Sequence, residues 1–362
     1  MTKKILVAAG GTGGHIFPGI AVAQQLKDAG WEVSWVGTAD RMEAQVVPKH
    51  GFDIDFITVK GLRGNGLKRL FQAPMMILKA VFAAKKILSK HKPDVVLTMG
   101  GYVTGPVGVA AKLSGVPLVI HEQNAVAGMS NKLLAKLANR VLCAFKGAFP
   151  ETKCDVVGNP IRNSVTQIRP KPIEQSVNCL VVGGSLGAKV LNENLPSIFD
   201  TLRELGHREL SIWHQSGKGN AQSVATAYRD CQFAYKVDEF IENMDQAYEW
   251  ADIIICRAGA LTVSEVAAAG KMAVFVPLPH AVDDHQTLNA TVLVDEGAAL
   301  IMPQSKLNKQ NMVTLLEPYL CDPTLIEAKS QKAKLCAQLS ATSTVVEIIK
   351  ELTSQRENCE RK

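Results

Sequence analysis

The chain has 362 residues, of which 47% are hydrophobic, and this length and apolar content predict two domains with cores of ordinary size. The apolar stretch within residues 1–9 is too short for a signal peptide, and no stretch reaches the roughly 18 uncharged apolar residues of a membrane-spanning helix. These features argue against a secreted or membrane-spanning protein, and we expect the chain to stay in the cytoplasm. The eight cysteines include no Cys-x-x-Cys pair, so we expect them to be reduced and structural.

Apolar runs typical of buried strands alternate with helical stretches along the chain. In the first half these runs cover 4–9, 32–36, 94–98, 117–121 and 140–144. In the second half they cover 178–183, 209–213, 252–256, 273–277 and 298–302. This alternation predicts an α/β fold with parallel sheets, in two Rossmann-like domains that face each other across a cleft.

A proline-rich stretch without periodicity separates the two sets of strands. It predicts a first domain over residues 1–160, a linker over 161–176 and a second domain over 177–340. The tail, residues 341–362, carries no motif. It either finishes the second domain or crosses back to the first.

A glycine-rich loop follows the first strand of each half, at 10–14 and at 183–187. Each loop opens into a helical segment, so backbone N–H groups and a helix N-terminus can face an anion. Neither loop fits the dinucleotide fingerprint, because Ile16 stands at the third glycine position of the first loop and Ser185 at the second glycine position of the other. Neither completes a P-loop. Phosphate or sugar contact by glycine backbone is one interpretation, and a purely structural turn is the other.

Positive charge is concentrated in the first half of the chain. Residues 1–160 carry 20 Lys and Arg against 10 Asp and Glu, whereas the remaining residues carry 20 against 24. Between Phe56 and Pro93 there are nine cationic side chains, many apolar ones and no acidic one. A solvated helix face is the default interpretation, but a cationic rim around apolar residues is typical of a segment that docks on an anionic membrane surface. Nucleic acid is disfavoured, because no aromatic platform accompanies the basic run.

Polar residues gather after buried strands between 256 and 290. The turn Ala258-Gly259-Ala260 follows strand 252–256 and exposes a helix N-terminus that could hold a diphosphate. Thr262 and Glu265 have the spacing of a capping box. The alternative is that the Glu265 carboxylate grips the two hydroxyls of a ribose.

An Asp-x-Asp pattern occurs at Asp53-Ile54-Asp55. Metal-dependent transferases of another fold use this pattern. Alternation in a strand, with both carboxylates facing solvent, explains it more simply.

Seven strings occur in order through most of the chain: GGTGGHIFPGIAVA (10–23), GGYVTGP (100–106), HEQNAVAG (121–128), GNPIR (158–162), GGSLGA (183–188), RAGALTVSE (257–265) and DDHQTLNA (283–290). Together they resemble the MurG family, which belongs to glycosyltransferase family 28. These bacterial enzymes add N-acetylglucosamine to the undecaprenyl-diphosphate-linked muramyl-pentapeptide of peptidoglycan synthesis. Only the C-terminal tail carries no diagnostic motif.

The resemblance implies the GT-B architecture, with the donor UDP-N-acetylglucosamine held mainly by the C-terminal domain and the lipid-linked acceptor met by the N-terminal domain. It implies a peripheral protein at the cytoplasmic face of the plasma membrane, and residues 60–92 are the segment expected to dock there. No cofactor and no metal are expected.

The resemblance also implies individual roles in the donor site. Glu265 would take the ribose hydroxyls, and Ile241 would contact uracil through its backbone. Backbone N–H groups at the donor phosphates would come from Ala260, Leu261, Thr262, Val263 and Ser264. Ser185 and Arg162 would address the diphosphate. Gln286 and Asn124 would address the sugar, whereas the role of His285 stays open.

Thr12, Gly13 and Gly14 would border the point of transfer. The expected reaction is a single displacement that inverts the anomeric centre as UDP departs. His15 is the candidate general base, because an imidazole that titrates near neutrality beside a glycine loop can reach a substrate hydroxyl. The alternative is a histidine at a helix start that only hydrogen-bonds substrate or backbone. Helix N-termini and Arg162 would stabilise the leaving group.

Rival functions come from other classes. A nucleotide-sugar 2-epimerase would share the architecture and the donor, but it needs no lipid acceptor and gives no reason for the acid-free basic segment. A non-catalytic nucleotide-binding scaffold at the membrane would not need His15. A dehydrogenase would have to bind NAD.

Overall fold

A computed structural model describes residues 2–59, 66–173, 175–184, 186–279 and 284–360 of the chain, without the side chains of 66–73 and 357–360. It divides into two compact units. The first contains Met1–Arg162 and Gln338–Lys362, and the second contains Asn163–Ala337.

The described strands of the first unit are β1 (Lys4–Ala9), β2 (Glu32–Gly37), β3 (Asp53–Phe56), β4 (Val95–Gly100), β5 (Leu118–Glu122), β6 (Arg140–Cys143) and β7 (Asp155–Val156). Its helices are α1 (Gly13–Asp28), α2 (Glu43–Lys49), α3 (Gly66–His91), α4 (Thr104–Leu113), α5 (Met129–Leu134) and α14 (Ala341–Glu360). The strands form one parallel sheet in the order β3-β2-β1-β4-β5-β6-β7.

Both faces of this sheet are covered, which explains why its central strands are continuous apolar runs. One core joins the sheet to α3, α4 and α5. The other joins it to α1 and to α14, whose Val345, Val346 and Ile349 are fully buried. The end of the chain therefore belongs to the first unit.

The second unit contains α6 (Asn163–Thr166), β8 (Ser176–Val182), α7 (Lys189–Glu204), β9 (Glu209–Gln215), α8 (Ala221–Tyr228), β10 (Ala234–Asp238), α9 (Met244–Trp250), β11 (Ile253–Cys256), α10 (Ala260–Ala269), β12 (Met272–Phe275), α11 (His285–Val294), β13 (Ala299–Ile301), α12 (Lys309–Cys321) and α13 (Thr324–Leu335). Its parallel sheet has the order β10-β9-β8-β11-β12-β13. Each unit is thus Rossmann-like, and this part of the sequence prediction is confirmed.

The apolar runs of the sequence miss three strands, β3, β7 and β10. All three lie at an edge of their sheet, and each is short and substantially exposed. An edge strand has only one neighbour and needs no continuous apolar run, so the criterion that finds buried strands cannot find these. Within the described residues, no helix is both long and apolar enough to span a membrane.

Candidate functional site

In each unit, glycine loops lie at the point where the strand order reverses. The loop after β1 and the residues at the end of β4 meet at this point in the first unit, where the Gly10 N–H donates to the Gly100 carbonyl at 3.3 Å. In the second unit the loop after β8 lies beside the turn after β11. Ligands of open α/β sheets bind at this place, outside the carboxyl ends of the strands.

His15 lies in the first turn of α1 and is held against the first glycine loop. Its Nδ1 is 3.3 Å from the Gly10 carbonyl oxygen and 3.4 Å from Thr12 Oγ1. A carbonyl can only accept, so Nδ1 carries the proton and the lone pair lies on Nε2. The imidazole packs against Gly100, where a Cβ atom would overlap the ring. This tautomer suits a group that must take a proton at Nε2.

The loop itself is held by Glu43, a fully buried carboxylate at the start of α2. Its Oε2 accepts from the Gly11 N–H at 2.9 Å. Its Oε1 accepts from the N–H and Oγ1 of Thr38, at 2.9 and 2.7 Å. No local sequence pattern marks Glu43, because it is a single glutamate 32 residues away from the glycine that it contacts.

Thr12, Gly13 and Gly14 form the start of α1. Thr12 is the N-cap residue, and its side chain makes no cap hydrogen bond to the helix. Arg162, at the end of the first segment of this unit, lies over Phe17 of α1, with its guanidinium carbon 5.8 Å from the ring centre. The Phe17 ring also borders Gly13. The structure thus places Arg162 near the start of α1.

Asn124 follows β5 in a loop organised by Glu122, which is almost fully buried. Glu122 Oε1 accepts from the backbone N–H and the side-chain amide of Asn124, both at 3.0 Å. Its Oε2 accepts from the Gly128 N–H at 3.0 Å and from the Asn131 amide at 2.9 Å. Asn124 is therefore presented by a rigid carboxylate-centred loop.

The neighbouring His121 is fully buried and neutral. Burial lowers its pKa to about 4, against the opposing effects of the Gly158 hydrogen bond and the Glu122 charge. Nε2 donates to the Gly158 carbonyl at 2.9 Å, so Nδ1 accepts from the Gln123 amide at 3.2 Å. We assign this histidine to the framework rather than to proton transfer.

The second unit has a cavity of about 510 Å³ around its glycine loop. Its described lining consists of Val182, Gly183, Gly184, Gly187, Ala188, Lys189, Val190, Arg257, Gly259, Thr262, Leu278, Gln286 and Gln304. The loops after β8 and β11 and the start of α11 therefore meet at one cavity. Ser185 lies outside the described residues, and so does Asp283, the first residue of the DDHQTLNA string.

Thr262 and Glu265 do not form a capping box, so this interpretation is wrong. The N-cap of α10 is Gly259, without a side-chain cap, and Thr262 lies inside the first turn. The N-terminal N–H groups of α10, which begins at Ala260, are thus not capped by the Thr262 side chain. Glu265 is one turn further on, 5% exposed, and its Oε2 accepts from the Tyr248 hydroxyl at 3.0 Å.

Side-chain amide hydrogen bonds hold two other predicted donor-site residues, Ile241 and Gln286. Gln215, at the end of β9, donates from Nε2 to the Gly184 carbonyl at 2.9 Å, and its Oε1 is 3.4 Å from the Ile241 nitrogen. Ile241 itself is buried. Gln286 Oε1 accepts from the Leu278 N–H at 2.9 Å. Gln215 was not identified from the sequence and joins the second glycine loop to the backbone of Ile241.

Arg257 also lines the cavity and was not given a role from the sequence. Its guanidinium donates to the Val276 and Pro277 carbonyls at 3.0 and 3.1 Å and to Gln304 Oε1 at 2.7 Å. Burial lowers the pKa of this guanidinium. The side chain fixes the ends of β11 and β12 against each other beside the cavity and brings positive charge to it.

The expectation that Asp53 and Asp55 both face solvent is wrong for Asp55. The Asp55 carboxylate accepts from His91 Nε2 at 2.5 Å and from Lys90 Nζ at 2.8 Å. Partial burial opposes these two partners, and their net effect lowers the Asp55 pKa. Asp55 therefore anchors the last turn of α3 to the edge of the sheet.

Two family descriptions cover the two units. Residues 5–143 match the glycosyltransferase family 28 N-terminal domain, and residues 178–352 match the C-terminal domain of that family. A protein of Pseudoalteromonas translucida (strain TAC 125) is 60% identical over 98% of this chain and 100% of its own length. It is named UDP-N-acetylglucosamine--N-acetylmuramyl-(pentapeptide) pyrophosphoryl-undecaprenol N-acetylglucosamine transferase.

Among solved structures, Acinetobacter baumannii MurG superimposes with a TM-score of 0.83 at 42% identity, over 97% of this chain and all of that one. The UDP-GlcNAc 2-epimerase of Neisseria meningitidis reaches 0.67 at 15% identity, over 96% of this chain and all of that one, and this likeness shows the fold alone. The chain therefore belongs to glycosyltransferase family 28 and, within it, to the MurG family of N-acetylglucosamine transferases.

Proposed function

We propose that this protein transfers N-acetylglucosamine from UDP-N-acetylglucosamine to the 4-hydroxyl of undecaprenyl-diphosphate-linked N-acetylmuramyl-pentapeptide. The observation that carries the proposal is the full-length relative at 60% identity that bears this activity in its name. The epimerase alternative has only a fold likeness in its favour.

The cavity of the second unit suits the donor diphosphate. Glycine backbone from the loop after β8 and the N-terminus of α10 border it from two directions, and Arg257 adds a positive charge. Backbone N–H groups of Ala260 to Ser264 would act at the phosphates, as a helix N-terminus does for anions. The Gln286 amide, oriented by its bond from the Leu278 N–H, would act at the sugar.

Glu265 would accept from the two ribose hydroxyls. The Tyr248 hydroxyl donates to Oε2 of this buried carboxylate, which fixes its rotamer. A carboxylate with a fixed rotamer can accept hydrogen bonds from two adjacent hydroxyls of a sugar, and it loses no further side-chain entropy when the sugar binds. Uracil would meet the backbone at Ile241, which Gln215 supports.

In the first unit, His15 would take the proton of the acceptor hydroxyl as its oxygen attacks the anomeric carbon. Its hydrogen bond from Nδ1 to the Gly10 carbonyl leaves Nε2 as the basic atom. A positioned base of this kind contributes typically 10²–10⁴-fold to the rate. The departing UDP carries away negative charge, which Arg162, Ser185 and the helix N-termini would stabilise.

The test is UDP release from UDP-N-acetylglucosamine with and without a short-chain lipid-linked muramyl-pentapeptide, in the presence of EDTA. We expect release that depends on the acceptor, with the sugar recovered on it. Release without acceptor, or formation of the 2-epimer, would contradict the proposal. His15→Gln should lower turnover by about 10²–10⁴-fold with UDP affinity kept. The matched control is His50→Gln, which makes the same change at an exposed histidine at the end of α2.

Helix α3 supports docking of the first unit at a membrane surface. Residues 60–65 of the predicted segment 60–92 lie outside the described part. In the described part, Met75, Leu78 and Phe82 are 60%, 52% and 64% exposed, and Lys79 and Lys86 are exposed beside them. The spacing puts Met75, Lys79, Phe82 and Lys86 on one outward stripe, which is the arrangement of an interfacial helix.

We therefore propose a peripheral location at the cytoplasmic membrane surface. The double variant Lys79→Glu with Lys86→Glu should bind more weakly to vesicles that contain anionic lipid. We expect its partition coefficient onto these vesicles, measured by sedimentation at low salt, to fall by about 30-fold or more, since each cation near such a surface contributes about 1 kcal/mol. The control reverses Lys306 and Lys309, two exposed lysines of the second unit. Equal sedimentation of both double variants would contradict the proposal.

A further inference from the structure

We propose that Glu43 is a positioning residue for His15 and acts on it through a single peptide group. The inference rests on the proposed role of His15 as general base. No step of the reaction described above uses Glu43, although it is a fully buried carboxylate at the edge of the first glycine loop.

The peptide group that joins Gly10 to Gly11 has a hydrogen bond on each side. On one side its N–H, from Gly11, donates to Glu43 Oε2 at 2.9 Å. On the other side its C=O, from Gly10, accepts from His15 Nδ1 at 3.3 Å. A trans peptide is planar and its N–H and C=O point in opposite directions. Fixing the N–H therefore fixes the direction of the carbonyl that orients the imidazole.

The carboxylate is itself held in place. Its Oε1 accepts from the Thr38 N–H at 2.9 Å and from Thr38 Oγ1 at 2.7 Å. With the Gly11 N–H, three donors converge on one buried carboxylate, which compensates for its removal from water. Glu43 is also the first residue of α2, where the helix dipole favours a negative charge.

The glycines around this arrangement leave room for nothing larger. A Cβ atom at Gly10 would lie 2.5 Å from Glu43 Oε1, and one at Gly101 would overlap the Gly10 carbonyl oxygen. The peptide is thus confined between Glu43 on one side and Gly101 on the other. The Gly10 carbonyl cannot turn away from His15 while the Glu43 contact is intact.

The consequence for His15 is a fixed tautomer and a fixed ring. A carboxylate bonded to the N–H polarises the peptide and strengthens its carbonyl as an acceptor. That carbonyl holds the proton on Nδ1 and leaves Nε2 basic. A carboxylate that bonds directly to a catalytic histidine does the same in hydrolytic triads. Here the peptide Gly10–Gly11 stands between the two.

Glu43→Gln tests the inference. Whichever way the new amide is turned, its NH₂ faces a backbone N–H, of Gly11 or of Thr38, so the network cannot be kept whole. We expect kcat to fall by about 10²-fold, the effect of a small misplacement of a catalytic group. The KM for UDP-N-acetylglucosamine and the Kd for UDP should stay within about twofold, because their proposed site lies in the second unit.

Thr38→Val is the matched control. It removes one donor from the same buried carboxylate but keeps the Gly11 contact, so its kcat should stay within a few-fold of wild type. A purely structural role for Glu43 predicts instead that both variants lose activity in proportion to the loss of folded first unit, as measured by hydrogen exchange in peptides from β1 and β4. That outcome would overturn the inference.

Histidine-selective ¹⁵N labelling supplies a readout that does not depend on turnover. The eight histidines give few signals, and His15→Gln assigns the one of interest. In wild type the His15 shifts should be those of a ring protonated at Nδ1, and in Glu43→Gln they should move toward a mixture of tautomers. Unchanged shifts together with wild-type kcat would overturn the inference.

His15→Gln separates the two ideas. If His15→Gln is impaired and Glu43→Gln is not, the general base stands and the role of Glu43 fails. If His15→Gln has wild-type turnover, the base itself fails and the inference falls with it. If Glu43→Gln does not fold, Glu43→Asp, whose side chain is one methylene shorter, replaces it. For that variant too, a wild-type kcat together with wild-type ¹⁵N chemical shifts of His15 would overturn the inference.

Discussion

His214 should make the second unit sensitive to acid. This side chain of β9 is fully buried, and its Nε2 lies 3.0 Å from Asn192 Oδ1 and its Nδ1 2.9 Å from the Tyr228 hydroxyl. The Asn192 amide nitrogen donates to the Ser216 carbonyl, so Asn192 Oδ1 must accept from Nε2 and Tyr228 must donate to Nδ1. The neutral ring satisfies every partner, whereas a second proton, on Nδ1, would face the Tyr228 hydroxyl that donates to this atom and would force it to turn its proton away.

Burial lowers the pKa of His214 to about 3 from an ordinary value of 6.5. Between these two values the unfolded state binds a proton that the folded state does not, so the free energy of unfolding falls as the pH falls through this window. From pH 7.5 to pH 5 the loss from this one histidine is about 2 kcal/mol. It reaches about 4 kcal/mol at pH 3 and approaches about 5 kcal/mol only below that pH.

The assay must resolve the two units, because His121 in the first unit has a pKa lowered to about 4 and acts in the same direction. Hydrogen exchange followed by mass spectrometry, in peptides from β8 and β9, reports the opening of the second unit alone. The variant His214→Gln keeps a donor and an acceptor but cannot be protonated. Wild type should lose about 2 kcal/mol more than the variant between pH 7.5 and pH 5. Equal losses would refute the reasoning.

Two further predictions concern the donor site. Gly187→Ala should lower Tm and UDP affinity more than Gly184→Ala does. Gly187 and Gly184 both have positive φ, 76° and 87°, but only a Cβ at Gly187 would also overlap the Ser216 carbonyl. Equal effects of the two variants in calorimetry would show that backbone strain alone matters. Glu265→Gln should weaken UDP binding by about 10-fold or more in titration calorimetry, the worth of a hydrogen bond to a charged group, with Tm nearly kept. A lower Tm with unchanged affinity would assign Glu265 to the fold.

The sequence predicted the strands and loops that carry a recognisable local pattern. Central strands are buried on both faces and therefore appear as apolar runs, and each glycine loop follows such a run directly. The edge strands β3, β7 and β10 lack this pattern, because none of their residues is fully buried. The interpretation of Thr262 and Glu265 as a capping box was wrong for a different reason. Its four-residue spacing was present, but the helix began one residue after Gly259 and placed Thr262 inside the first turn.

The residues that support the site could not be found in this way. Glu43 reaches the first loop from 32 positions away, and Gln215 reaches the second loop from 31 positions away. Neither belongs to a periodic pattern, since each is defined only by the donor or acceptor that the fold brings to it. Tyr248 supports Glu265 in the same way, from a different helix. A buried polar residue whose hydrogen-bond partners lie far along the chain thus leaves no local pattern, and only the folded structure reveals its role.

The two supporting side chains act on their loops with opposite polarity, and the difference fits the two proposed tasks. Glu43 accepts from a loop N–H, which turns the carbonyl of that peptide toward His15. Gln215 donates to a loop carbonyl, at Gly184. A carbonyl oxygen would repel a diphosphate, so a bond that ties it back favours N–H groups at the second loop. One loop therefore suits the proposed base and the other the proposed anion, although both follow the first strand of a Rossmann-like unit.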